Sequence, residues 1–296
     1  MPETDIEISH ALDLSKDLPP EVEEEARKQG EDPDRVCLMV QELRDMIYER
    51  GECKPHRMDD DYLIKFLRAR FWKVENSYKL LCRYYKFRED NLDLHVDVHP
   101  IQLKCIGEDD VVSVTPYRDQ NGRRNIYYKV GNWRPGKIPL VELFRGTLVL
   151  LEIGSLEPRT QVLGAVGIFD LEGLSLNHAW HMTPSVAQKI ISLMVTCMPI
   201  KITSIHIVNQ NWTFDAIYQI FKSFLSERMK EKLFIHGNDY KSLHQHIDPA
   251  HLPEEYGGTM KSFTYQPWFD SLSKNETIIK ELEQLGYLFD AEEFEE

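Results

Sequence analysis

Residues 163–237 carry the deciding pattern: LGAVGIFDLEG (163–173), KITSIHIVN (201–209), WTFDAIYQIFKSFLSERMK (212–230) and EKLFIHG (231–237). The pieces Ala165–Leu171, Ile202–Val208 and Lys232–His236 are short, apolar and rich in β-branched or aromatic residues. Strands of a sheet covered by helices read this way. The two intervening segments are long enough for the crossover helices that parallel strands require. Thr183-Pro184 opens the first helix as N-cap and first helical residue. Its Val186, Ile190, Ile191, Leu193, Met194, Val195 and Met198 spread round most of the circumference. The second helix, Asn211 to Lys222, carries Trp212, Phe214, Ile217, Ile220 and Phe221, with Phe224 just beyond, and runs into a charged stretch at 226–232. A helix apolar on nearly every side is buried on two sides. Two readings follow: a thick core between sheet and helices, or helices lying over an apolar cavity.

The chain has 296 residues, 42% hydrophobic and 28% charged, as expected for one large or two modest globular domains. No run approaches the apolar length that spans a bilayer, and Met1–Lys16 lacks a signal peptide's basic start and apolar centre. A cytosolic protein is expected. Cys37, Cys53, Cys82, Cys105 and Cys197 form no CxxC and are odd in number, which predicts reduced, mostly buried thiols. The net charge of −14 is concentrated at the ends. Residues 1–34 hold 12 acids against 3 bases, and residues 281–296 hold 7 acids and no Lys or Arg. What lies between carries only +2, too little for the broad basic field of a nucleic-acid binder.

In chain order, 1–34 reads as a loose acidic arm with one short helix. Val36 to Arg50, a segment opened by Asp59-Asp60-Asp61, and Val74 to Glu89 read as three helices of a subdomain over 35–92. Between Tyr62 and Arg88, eight bases face one acid, Glu75. Such a run is either a solvated helix face or an attractor for phosphate groups on a membrane surface. Residues 93–260 form the α/β part. Val111–Thr115 and Arg124–Val130 flank the Asn121-Gly122 turn of a hairpin, and Pro139 to Ile153 is helical. Residues 261–296 read as a polar, acidic tail.

Catalytic signatures are missing: there is no GxGxxG, GxxxxGK[ST] or GxSxG. Asp170 and Glu172, two apart at a strand end, fit an acid–base pair only if the strand continues; a structural role for either is the simpler reading. His178 and His181 lack a third metal ligand of clear spacing, and His244, His246, Asp248 and His251 read as surface groups. No enzyme activity, metal or cofactor is expected.

Six motifs stand in a telling order: FLRAR (66–70), IFDLEG (168–173), PIKI (199–202), IHIVN (205–209), LFIHG (233–237) and LPEEYGG (252–258). Together they resemble the CRAL-TRIO lipid-transfer family over residues 36 to 260, most closely the branch of the α-tocopherol transfer protein, the clavesins and the retinaldehyde-binding protein. The resemblance implies an N-terminal helical subdomain and an α/β lipid-binding cage with a mobile lid helix at about Asn209–Leu225. It places a hydrophobic ligand against Phe144, Thr147, Leu151, Phe169, Ile190, Leu193, Met194, Met198, Ile200, Ile205 and Ile217. It places phosphoinositide head groups at Arg70, Lys79, Lys201, Arg228 and Lys232, with Thr203 standing where one further base occurs. It turns Leu176, Trp180, Ile217 and Ile220 towards the membrane. The implied function is an intracellular carrier of one tocopherol- or retinoid-like ligand, exchanged at phosphoinositide-bearing, endosomal or other membranes. The alternative is a clavesin-like phosphoinositide-binding trafficking adaptor.

Overall fold

The computed structural model describes residues 6–95 and 98–287. Helices α1 (Pro20–Lys28), α2 (Val36–Arg50), α3 (Asp60–Ala69), α4 (Val74–Asp90) and α5 (Leu103–Gly107) precede the sheet. Local chemistry sets their ends. Gly51 closes α2 at φ 62°, a left-handed conformation that glycine adopts without steric cost. The Asp59 carboxylate accepts from the Tyr62 N–H and caps α3, with Asp60 and Asp61 in the first turn.

Strands β1 (Val112–Arg118) and β2 (Arg124–Lys129) form the expected antiparallel hairpin. Helices α6 (Leu140–Leu156) and α7 (Pro158–Leu163) lead to β3 (Ala165–Asp170); α8 (Leu176–His181) and α9 (Pro184–Ile191) lead to β4 (Ile202–Val208). Helices α10 (Trp212–Lys222) and α11 (Glu227–Lys230) lead to β5 (Leu233–Gly237), and α12 (Tyr240–His244), α13 (Gln266–Ser273) and α14 (Glu276–Gln284) follow. The sheet order is β1-β2-β3-β4-β5, parallel from β2 onward. Strands that follow one another in space as in sequence, joined by crossovers of one hand, put every crossover helix on one face.

That face and its opposite are read off by residue parity. Tyr127, Val166, Ile168 and Val208 pack with Leu243, Leu252 and Tyr256 on the far side. Ile126, Tyr128, Gly167, Phe169, Ile205 and Ile207 look towards α6, α9 and α10. The main core runs without a break from α2–α4 through α6 to α14, so the helices of 35–92 and the α/β part share one interior.

Both chain ends depart from expectation. The segment read as a polar tail forms α13 and α14, with Trp268, Leu272, Ile278, Leu282 and Tyr287 buried in the main core. Its apolar positions recur at helical spacing, which the acidic composition masked. Residues 288–296, the rest of that segment, lie outside the described residues. The acidic arm is also anchored: Val22 and Ala26 bury against Val162, and Glu31 pairs with Arg68 at 2.6 Å. The helix opened by Thr183 changes after Ile191 into a π-turn over Ser192–Cys197, a geometry frequent at functional sites.

Candidate functional site: an apolar cavity beside a basic cluster

A cavity of about 230 Å³ lies between the sheet and helices α6, α9 and α10. The sheet face supplies its floor, and Gly167 leaves room where a Cβ would meet the Phe169 ring at 3.4 Å. Eight of the expected contact residues line it: Phe144, Thr147, Phe169, Ile190, Leu193, Met194, Ile205 and Ile217. Three do not. Leu151 and Ile200 face a separate space of about 60 Å³ that Trp268 and Leu272 close, and Met198 is buried in the main core. The C-terminal helices that take up this volume escaped the sequence reading. The same reading missed Tyr128, Leu143, Phe214 and Phe221, which also line the cavity. Strand parity locates Tyr128, since it sits in register with Phe169 on β3 and their rings stack at 4.7 Å.

The second face of the α9 helix is explained by its π-turn, which packs on α4 of the N-terminal helices. Helix α10 is less two-sided than its sequence implied. Phe214, Ile217 and Phe221 face the cavity, while Asp215, Ala216, Gln219 and Lys222 are exposed. Ile217, expected at the membrane, therefore points inward, and Ile220 is half-buried. Leu176 and Trp180 are exposed at 55% and 83%, joined by Trp212 at 71%, which the sequence reading did not select. The cavity is smaller than the roughly 300–1,000 Å³ of ordinary small-molecule sites, so a large cargo requires α10 or its neighbours to move.

Three of the five expected head-group bases converge. Arg70 is held down to about 10 by burial and by the Arg83 and Arg228 guanidinium groups. Lys232 is lowered by burial and then by Arg228, Arg70 and Arg123. Two cations outside the expected set, Arg83 and Arg123, thus join this cluster. None of these five side chains has a carboxylate partner among the described residues. Arg70 and Lys232 instead donate to the Ala69 and Ile202 carbonyls. Phe71 and Trp72, at φ 54° and 56°, turn the chain sharply beside Arg70, and such left-handed backbone at bulky residues costs of order 1–3 kcal/mol each.

Lys201 lies at the margin. Burial holds it down to about 8, Arg68 and Arg123 add to this, and Glu25 and Glu31 of the arm oppose it. Its ammonium donates to Gln29 and sits over the Phe71 ring. Lys79 is elsewhere, exposed and paired with Glu75 at 3.1 Å. Much of the basic run is structural. Lys65 is buried over the Tyr62 ring, and Arg88 donates to the Leu285 carbonyl.

The acid–base reading of Asp170 and Glu172 is overturned. Asp170 is buried and accepts from the Glu172 N–H, the Asn209 amide and the Tyr256 hydroxyl, so it fastens β3 to its neighbours. Glu172 is exposed. The histidines have structural partners too. His178 meets Ser175 and the Trp133 carbonyl, His244 the Tyr256 carbonyl and His251 the Arg118 carbonyl. His206 is pressed to about 3 by burial and by His236 and His246, so it stays neutral within a chain from Ser204 through His206 and His236 to Ser242. Among the described residues no group of three or more His, Cys, Asp or Glu could hold a metal ion. No described helix is long and apolar enough to cross a membrane.

Comparison with known proteins agrees with this architecture. Residues 108–258 match the CRAL/TRIO domain. Clavesin-1 of Pongo abelii is 32% identical over 271 residues, covering 90% of this chain and 76% of that protein. Clavesin-2 of Homo sapiens is 32% identical over 266 residues, covering 89% and 81%. The crystal structure of Sfh5 superposes with a TM-score of 0.50 at 16% identity, covering 86% of this chain and 98% of that one, a likeness of fold alone. On the domain match and the extent of these relatives, the chain belongs to the CRAL/TRIO family.

Proposed function

We propose that the protein is a carrier that buries one hydrophobic ligand, docks on phosphoinositide-bearing membranes and exchanges its cargo there. The observation that carries the reading is the cavity of about 230 Å³ with its apolar wall, enclosed between the sheet and helices α6, α9 and α10. Apolar walls of this kind are what small hydrophobic ligands require. Arg70, Arg83, Arg228 and Lys232 support the docking half, because cations that repel one another without a carboxylate gain from an anionic head group. The exposed Leu176, Trp180 and Trp212 add side chains suited to the interfacial layer. A tocopherol- or retinoid-like cargo is the finer proposal, and it entails a cavity widened by movement of α10.

The test is mass spectrometry of lipid co-purified with the protein, followed by transfer of that lipid between vesicles with and without phosphatidylinositol bisphosphate. Stoichiometric lipid and faster transfer to phosphoinositide vesicles are expected. Protein that purifies without lipid and binds none overturns the carrier reading and leaves the trafficking adaptor.

A further inference from the structure

Among the described residues, the cavity wall carries one polar group whose proton has no hydrogen-bond acceptor. Tyr128, on β2, lines the cavity, and its hydroxyl is shut off from solvent with no acceptor within ordinary hydrogen-bond geometry for its proton. Stacking on Phe169 at 4.7 Å and 9° holds the ring in place, so the hydroxyl is fixed before any ligand arrives. Thr147, from α6 opposite, lines the same space and is placed to donate its hydroxyl to the phenol oxygen, which leaves the phenol's own proton without an acceptor. The other indole or phenol groups of the wall differ: the Trp133 N–H donates to the Ile138 carbonyl, and Tyr218 is half-exposed. Among the described residues no Asp, Glu, Lys, Arg or His lines the cavity.

A buried donor without an acceptor is costly, and native interiors seldom keep one. A ligand oxygen placed against it removes that cost. A ligand carboxylate is another matter. It would enter the apolar wall with no cation to meet it, at a large desolvation cost. Burial also holds the Tyr128 phenol protonated, so it serves as a neutral donor.

We infer that Tyr128, with Thr147 beside it, is the polar anchor of the cavity, and that it selects a neutral amphiphile carrying one acceptor oxygen over a hydrocarbon or an ionised fatty acid. This rests on the carrier reading above and narrows its substrate class.

The experiment compares three probes of one chain length, an n-alkane, the corresponding primary alcohol and the corresponding fatty acid, on lipid-stripped full-length protein at pH 7.5. Binding is read by tryptophan fluorescence and by native mass spectrometry, for wild type and for Tyr128→Phe. In wild type the alcohol binds about tenfold tighter than the alkane, the ratio given by one hydrogen bond of ordinary net strength, and the acid binds weakest. In Tyr128→Phe the alcohol falls to the level of the alkane while the alkane is unchanged. The unliganded variant melts no lower than wild type, because the substitution removes a donor without an acceptor. Equal loss of alcohol and alkane, or an unchanged alcohol preference, overturns the anchor and leaves the carrier reading standing. Tightest binding of the acid overturns the selectivity. Failure of all three probes to bind wild type overturns the carrier reading and the anchor together.

Discussion

Replacing Leu193 by tryptophan separates a cavity from a packed core. Leu193 is wholly shielded from solvent and borders the cavity. At about 24 cal/mol per Å³ of void, a dry cavity of about 230 Å³ costs the fold about 5–6 kcal/mol. An indole adds on the order of 60 Å³ over an isobutyl group, so seated in the void it returns on the order of 1 kcal/mol. For a chain of this size that is a rise of about 2–4 °C in Tm. Forced into a filled core, the same ring costs about 1–3 kcal/mol and Tm falls. Cargo at a hundred times its Kd stabilises wild type by about 2.7 kcal/mol. In the variant that increment shrinks, because a quarter of the space is gone. The assay is scanning fluorimetry of lipid-stripped protein with and without its co-purified lipid, with urea unfolding as a check. A variant several degrees less stable than wild type that still gains the full cargo increment refutes the reasoning.

The basic cluster makes a second prediction. Arg228→Ala with Lys232→Ala weakens binding to phosphatidylinositol bisphosphate vesicles while cargo affinity stays nearly constant; equal binding of wild type to neutral and phosphoinositide vesicles removes the docking role. Added salt weakens the wild-type interaction, since exposed charges are screened beyond about 8 Å at physiological ionic strength. Lys201, lowered by burial to about 8 from an ordinary 10.5, sheds its proton as pH rises through that value. Binding to phosphatidylglycerol vesicles, whose charge is constant there, falls between pH 7 and 9; a profile that Lys201→Ala does not flatten places the titration elsewhere. Trp180→Ala with Trp212→Ala reduces vesicle partitioning and leaves cargo affinity intact, while Ile217→Asp, inside the cavity, does the reverse. Truncation before Tyr265 lowers urea stability by several kcal/mol, as loss of the buried Trp268 and Tyr287 implies; a stable truncated protein contradicts the packing of α13 and α14.

The parallel strands and their crossover helices were legible because buried strands and amphipathic helices leave periodic signatures. Thr183-Pro184, Gly51 and Asp59 marked helix ends through local capping chemistry that needs no tertiary context. Long-range packing was not legible. Lys65, Arg68 and Arg88 read as surface charge, yet each is held by a partner far along the chain or by a buried ring. Asp170 read as a possible acid, yet two donors from distant segments, Asn209 and Tyr256, claim it together with the local Glu172 N–H. Ile217 could be assigned inward or outward from sequence, because helical spacing fixes a stripe and not the surface it meets. The tail was misjudged for the opposite reason: its charge count outweighed a good apolar stripe.

The buried carboxylate of Glu152 decides which side of the cage is stiff. It sits on α6 and accepts from Tyr84 of α4 at 2.5 Å and from Tyr287, beyond α14, at 3.0 Å. Arg88 ties to the Leu285 carbonyl, and Arg57 to Glu281. The back of the container is therefore fastened, through α4 and the C-terminal residues 281–287, by largely buried polar contacts that are costly to leave unmade. Among the described residues the front has no such rivets: α10 is fixed by its Asn211 cap and by contact with α8 and α9. On the carrier reading proposed above, strain from docking would be relieved where the resistance is least, so the vessel would empty through its front wall while its back keeps the shape needed for refilling.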